Sequence, residues 1–160
     1  MPPELLLRTS DLDGRLDALL TGSFAWYQLL MTGSHLGAAS ALVEQVLRDD
    51  RVPESERVRL LAEAEGAMSA AEGVARRIDA DGPDESTLAA SLYVRYCVQD
   101  TLARVVPRAV ELLGHLDSQA ADEVSHLVTC ADGLASQPLA QSGMTSTLAA
   151  YLADGTLTIT

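Results

Sequence analysis

The chain has no lysine; all eleven of its basic residues are arginine. This usage fits the codon bias of a GC-rich genome better than any physical demand. Against 23 acidic residues it leaves a net charge of −12. Such a balance excludes the basic face that nucleic-acid binding requires and disfavours an anionic membrane surface. No charge-free apolar run reaches the ~18 residues of a transmembrane helix. The first residues, "MPPELLLRTSDLDGRLD", lack a basic stretch followed by an apolar one, so no secretory signal is expected and the default compartment is the cytoplasm. Cysteine is scarce. Cys97 and Cys130 have no motif spacing and are expected to be small buried hydrophobes. There is no G-x-S-x-G, no GK[ST] and no G-x-G-x-x-G, so the usual nucleophile and phosphate-binding signatures are missing.

What remains is helical texture. Apolar residues make up 48% and charged residues 21% of the 160, enough for one domain with a hydrophobic core, spanning 1–160. Residues 1–21 read as an irregular lead-in with a turn at "DLDG". The pattern predicts a first helix from about Gly22 to Arg48, stopped by "RDDRVP", with Pro53 at the first position of the second. In that second helix Val58, Leu61, Ala64, Met68, Ala71, Ala75 and Ile78 form one stripe of period 3.6. A third helix, capped by Asp84 or Glu85, runs to about Leu116 and is expected to kink at Pro107. A fourth covers about Ser118 to Ala135. A fifth, from about Thr145 to Ala153, precedes "DGTLTIT", whose "TLTI" is the one candidate strand. Short links make successive long helices antiparallel. The expected architecture is all-α, an up-down-up-down four-helix bundle with a short C-terminal helix.

The first helix, "SFAWYQLLMTGSHLGAASALVEQVL", is apolar nearly all round and keeps Gly33 and Gly37 in its interior. A helix apolar on all sides is buried on all sides. It is therefore expected to pack on its own bundle and also on another chain or domain, the glycines and Ala38, Ala39 and Ala41 permitting close backbone approach.

Several residues invite a chemical reading. Glu123 and His126 form Glu-x-x-His, but a di-iron bundle needs two such motifs, and Glu111 and His115 are four apart, so no metal is expected. His35 reads as a satisfied interior histidine. His115 sits at a helix C-terminus, where the dipole favours a cation. Arg95, mid-helix on a mostly apolar element, is expected to make an ion pair with Asp100, Glu44 or a partner's carboxylate, with a ligand phosphate as the other reading.

The succession of helices resembles the C-terminal domain of acyl-CoA dehydrogenases. "VPESERVRLLAEAEGAMSAAEGVARRID" is similar to that family's second bundle helix, and the following helix ends in "AVELLGH", Ala109 to His115, where the family has A-x-Q-L-x-G-G. Leu36 to Ala41 match its LG-x-A-x-A stretch, and "PPELLL" resembles the linker entering the domain. The resemblance implies a bundle that packs on copies of itself and helps line a flavin site, here without the family's N-terminal and middle β-domains. It implies a helical subunit, with a place in secondary metabolism, that completes a flavin and acyl-thioester site with a separate flavin-binding chain. FAD is expected only with that partner and not in the chain alone. The family's FAD-holding arginine is followed by Phe-Gly. Arg48 and Arg51 lie near that point and are the cofactor-binding candidates, but no Phe-Gly follows. The family's base precedes Gly-Thr near the C-terminus; here Asp154 precedes Gly155 and Thr156 and is the catalytic candidate, with an ordinary turn aspartate as the bland reading. The residues leave open two alternatives: a flavin-free oligomeric bundle that binds or cyclises a hydrophobic metabolite, or a non-catalytic assembly remnant.

Overall fold

The computed structural model describes residues 9–114, 118–155 and 157, with the side chains of 9–18, 118–120 and 154 left out of the description. Among the described residues there are only helices, turns and irregular links. Three long helices come first: α1 over Thr9–Arg48, α2 over Glu54–Asp81 and α3 over Glu85–Leu112. Then follow α4 over Ser118–Ala131, a 3-10 turn over Asp132–Ser136 and α5 over Gln141–Asp154.

Antiparallel packing of the long helices follows from their links of a few residues and is visible in what each end touches. The C-terminal part of α1 (Leu42, Val46) meets the start of α2 (Leu60), the far part of α3 (Leu102, Ala109) and α4 (Val124). The other end of the bundle joins Ala25 and Leu29 of α1, Val74 and Ile78 of α2, Leu88 and Leu92 of α3, and Met144 and Leu148 of α5. The fourth side of the bundle is thus shared: α4 covers one core and α5 the other. This is an all-α bundle with a fourth and a short fifth helix, as the helical pattern predicted; the fourth gives way to the 3-10 turn after Ala131, and the fifth begins at Gln141, earlier than expected.

Several boundaries move. The expected irregular lead-in is helical from Thr9, and "DLDG" lies inside α1. One glycine costs about 1 kcal/mol in a helix, and the good helix formers around Gly14 outweigh it. The six residues of "PPELLL" lie outside the described residues, as do His115, Leu116 and most of "TLTI". Pro53 is the N-cap of α2, one residue earlier in role than expected. Asp84 caps α3 through a reciprocal pair: its carboxylate accepts from the Thr87 N–H at 2.7 Å, and the Thr87 hydroxyl oxygen accepts from the Asp84 N–H at 2.8 Å. Helix α3 continues through Pro107, which withholds one backbone donor.

The buried stripe of α2 is Leu60, Ala64, Ala71, Val74 and Ile78, rotated from the expected one: Val58 is 66% exposed. Both stripes have period 3.6; only the packing of α1 and α3 chooses between them. Cys97 and Cys130 are exposed, not buried. A methyl group at Gly33 or Gly37 would meet nothing within 4 Å, so no close approach inside this chain needs those glycines. The glycines that matter are others. A Cβ at Gly22 would lie 2.8 Å from the Pro83 ring, and one at Gly133 would lie 2.8 Å from the His35 ring.

Candidate functional site

The most concentrated polar chemistry lies inside the bundle. On α1, Gln28, Thr32 and His35 recur at helical spacing on one face and are all buried. Opposite them stands Arg95 of α3, wholly buried. Its guanidinium donates to Gln28 Oε1, to the carbonyl of Pro138, to that of Leu134 at 3.1 Å and to that of Gln137 at 2.8 Å. The next residue, Tyr96, donates its hydroxyl to the Leu139 carbonyl at 2.8 Å. Two adjacent side chains of α3 therefore hold the segment from the 3-10 turn to Leu139 through four carbonyls. Leu139 is held at φ 62°, a left-handed conformation that costs a non-glycine residue free energy.

This corrects the expected ion pair. Among the described residues no carboxylate faces Arg95; its two terminal nitrogens donate to neutral acceptors, and its Nε is buried without a hydrogen-bond partner. Burial lowers its pKa from the usual arginine value and raises that of Tyr96. Further along the seam, His35 Nδ1 lies 2.6 Å from the Cys130 carbonyl, so Nδ1 carries the proton and donates. The seam thus contains a fixed cation, a fixed imidazole and no carboxylate or nucleophile. It can orient chain segments; it has no acid–base pair of its own. Sequence reasoning singled out Arg95 and His35 but not Gln28. The signal was there: a glutamine two turns before a histidine, with a threonine between, on an otherwise apolar helix.

The cofactor candidates lie at the C-terminal end of α1. Arg48 pairs with Glu44 at 2.5 Å, and Arg51 binds Asp49 through Nε at 2.9 Å and Nη2 at 3.0 Å. Both arginines line a shallow pocket of about 420 Å³ with Gln45, Asp49, Asp50, Leu113 and Glu123. Three carboxylates there face two guanidinium groups. That lining does not fit the pyrophosphate of FAD, because it carries a net negative charge.

Asp154 is the last residue of α5, before Gly155 in the left-handed conformation; its side chain lies outside the described residues. Helix α5 sits over the Ala25–Leu29 end of the bundle, and Leu157 donates its N–H to Glu85 Oε2 at 3.0 Å. That end is roughly 30 Å along α1 from Arg48, at 1.5 Å per residue. One copy of the chain does not bring Asp154 to Arg48 and Arg51.

Glu123 and His126 are exposed on α4, where His126 Nε2 lies 3.7 Å from Cys130 Sγ. Among the described residues no three His, Cys, Asp or Glu side chains come together as a metal site. None of the described helices is long and apolar enough to cross a membrane.

With this geometry in place, comparison with known proteins adds one relative. The chain is similar to isobutylamine N-hydroxylase of Streptomyces viridifaciens. The two are 38% identical over 160 residues, covering 99% of this chain and 42% of that protein. The chain therefore spans under half the length of the relative it matches. No protein-family model matches it, and no solved structure does.

Proposed function

We propose that this chain is the helical-bundle part of an acyl-CoA dehydrogenase-like flavoenzyme of secondary metabolism that N-hydroxylates a small aliphatic amine. The observation that carries the reading is the 38% identity to isobutylamine N-hydroxylase along 99% of the chain. The helical texture and the match of Leu36–Ala41 to the family's first helix agree with it. The flavin is held by parts outside this span, since the Arg48–Arg51 lining is too acidic to hold FAD alone. Held there, reduced flavin would supply the two electrons for N-oxygenation by dioxygen, in which one oxygen atom enters an N–H bond and the other leaves with two protons as water.

The chain's own share is to wall the site and to handle a proton. An alkylammonium ion must lose a proton before its nitrogen can be oxygenated, and Asp154 is the carboxylate this chain offers for that step. For the task its pKa must be raised by burial against the flavin-bearing part. Copies of the bundle would pack on one another in the assembled enzyme. The exposed apolar residues Leu19, Leu20, Phe24, Tyr27 and Leu30 of α1 supply a face for such assembly. An acyl thioester, the substrate class of the family resemblance, is the second substrate to try.

A chimera tests this. The matched 42% of the Streptomyces viridifaciens enzyme is replaced by this chain, and flavin content and hydroxylation of isobutylamine are measured. The expected chimera holds flavin and turns over, and Asp154→Asn slows it by about 10²–10⁴-fold, the usual loss of a general base. A folded chimera that holds no flavin overturns the reading; an unchanged rate in Asp154→Asn removes only that residue's role.

A further inference from the structure

Helix α1 keeps two glycines in its interior that its own bundle does not need. A Cβ at Gly33 or Gly37 would meet nothing within 4 Å, although each glycine costs a helix about 1 kcal/mol. Both lie on the outward stripe of α1. At about 3.6 residues per turn, Leu19, Trp26, Leu30, Gly33, Gly37 and Ala41 fall on one side of the helix, and none of them is buried.

The stripe changes character along its length. Its first half is bulky: Leu19 is 70% and Leu30 68% exposed, with the half-buried Trp26 between them. Its second half is hollow. Gly37, Ser40 and Ala41 line a groove of about 420 Å³, walled by Leu61 and Ala64 of α2 and rimmed by Glu44 and Glu65. Leu30 and Gly37 are seven residues apart, hence about 10 Å along one face. Between Asp17 and Glu44 there is no Asp, Glu or Arg, on a chain of net charge −12. Two copies of so acidic a chain repel one another over most of their surfaces, but not along this stripe. A basic partner, conversely, finds no carboxylate to pair with before Glu44. From Leu19 to Ala41 the stripe is about 33 Å long and about 10 Å wide, a footprint of roughly 330 Å², the size of patch that marks an interaction site. The exposed Val58 and Leu61 of α2 widen it toward the ~800 Å² per partner of a standard interface.

We infer that α1 pairs with α1 of a second copy, antiparallel about a two-fold axis beside Gly33 and Ser34, with Leu30 of each copy seated in the Gly37–Ala41 groove of the other. A two-fold contact is self-complementary: residue i of one copy meets residue j of the other, and j meets i. With Leu30 opposite Gly37, the register sets Trp26 opposite Ala41 and Ser23 opposite Glu44. Bulky residues then meet small ones, and a hydroxyl comes beside a carboxylate. Parallel pairing would set Leu30 against Leu30 and leave both grooves empty. The glycines are thereby explained, because a side chain at Gly37 fills the hollow that Leu30 occupies. This gives a seat to the assembly proposed above and rests on that part of the reading, not on the flavin.

Sedimentation equilibrium of the 160-residue chain tests it. The wild type is expected to dimerise at micromolar concentration. Leu30→Ala removes the knob and Gly37→Leu fills the hollow; both positions are open, so the monomer fold is spared. Each alone should weaken the dimer by at least about tenfold, the loss expected from uncovering part of a leucine side chain. Together they exchange knob and hollow, and the double variant should dimerise within about threefold of the wild type. Within one chain the two positions are about 10 Å apart, where substitutions act independently, so such recovery arises only across copies. In a Cys97→Ser, Cys130→Ser background, a short bis-maleimide should join Ser34→Cys to its own copy and leave Ser125→Cys, exposed on α4, unjoined. A wild type that stays monomeric to about 100 μM, losses that simply add in the double variant, or equal coupling at Ser34 and Ser125 overturns the inference. No flavin enters these measurements, so failure of the chimera and failure of the dimer are separate results.

Discussion

The two halves of α1 are covered differently. From Leu36 to Val46 the helix is enclosed by α2, α3, α4 and the 3-10 turn, and Leu36, Ala39, Leu42, Val43 and Val46 are all at most 2% exposed. From Leu19 to Leu30 it meets α2, α3 and α5 on one side only. On the other side Leu19 is 70% and Leu30 68% exposed, with Phe24 and Tyr27 between them. The same kind of sequence therefore has its partners inside this chain in one half and lacks them in the other. All-round apolarity announced that the helix is covered everywhere. It did not say by what, and only the second half is covered by this chain.

The polar seam sits at the junction of the two halves, and breaking it should have the largest effect. In Arg95→Met the side-chain volume is roughly kept, while Gln28 Oε1 and three carbonyls lose their donor. Stranding buried partners of a charged group typically costs about 3–5 kcal/mol. Urea unfolding should show a loss of that size, and hydrogen exchange should quicken first in residues 134–140, which Arg95 holds. A loss under about 1 kcal/mol, within the range of an ordinary surface change, would mean that the seam does not join the halves.

Next come leucine truncations that contrast the halves directly. Leu42→Ala removes a fully buried side chain and should cost about 2–5 kcal/mol. Leu30→Ala should leave monomer stability within about 0.5 kcal/mol and instead weaken association, measured by light scattering. Equal losses of stability from both would erase the distinction between the halves.

The two ends of α1 also show what the sequence made legible. Helix type, the antiparallel order, the Asp84 cap and the stop at "RDDRVP" follow from short-range rules, and they were readable. The extension to Thr9 was not, because a single Gly-containing turn signal outweighed the helix formers around it. The choice between the Leu60 and Leu61 stripes of α2 depends on neighbours far along the chain, as does the exposure of Cys97 and Cys130. Arg95 was readable as unusual but not as a donor to carbonyls, since nothing in the sequence brings Leu134, Gln137 and Pro138 to its side. Of the site candidates, the placement of Arg48 and Arg51 beside Glu44 and Asp49 was open to view in the local spacing. The distance from them to α5 was not, because it is set by which core each short helix covers.

Smaller effects are expected from methyl additions at glycines, and their signs should differ. Gly37→Ala adds a methyl where nothing lies within 4 Å. It should stabilise the monomer by about 0.5–1 kcal/mol through helix propensity. Gly133→Ala places a methyl 2.8 Å from the His35 ring, whose Nδ1 is fixed to Cys130. It should destabilise by about 1–3 kcal/mol, as overpacking does. Thermal melts of the two variants check the pair. Destabilisation by Gly37→Ala only at concentrations where the chain associates would place a second copy against that face.

A comparably small effect, and one that depends on pH, should come from the cap at the α5 end. Asp84 has its pKa lowered from the ordinary carboxylate value, first by the hydrogen bond from the Thr87 N–H and then by contacts with the Thr87 and Ser86 hydroxyls, against a smaller opposing effect of burial. A carboxylate with a lowered folded pKa contributes stability that is full above its unfolded pKa of about 3.9 and is lost as pH falls through the lower folded value. Asp84→Ala should therefore cost about 1 kcal/mol near neutral pH, the usual worth of an N-cap, and progressively less below pH about 4, where the unfolded carboxylate takes up its proton and the folded one does so only at still lower pH. Asp84→Asn keeps a capping oxygen without the charge, so it should recover most of the neutral-pH stability and show none of this residue's acid dependence. Urea midpoints of the three proteins across the acid range decide it. Because Asp84 opens α3 beneath Leu88 and beside Glu85, which holds the Leu157 N–H, the loss should loosen the core that α5 covers and leave the Leu42 core unchanged. Equal quickening of exchange in both cores would show that the two ends of the bundle unfold as one unit.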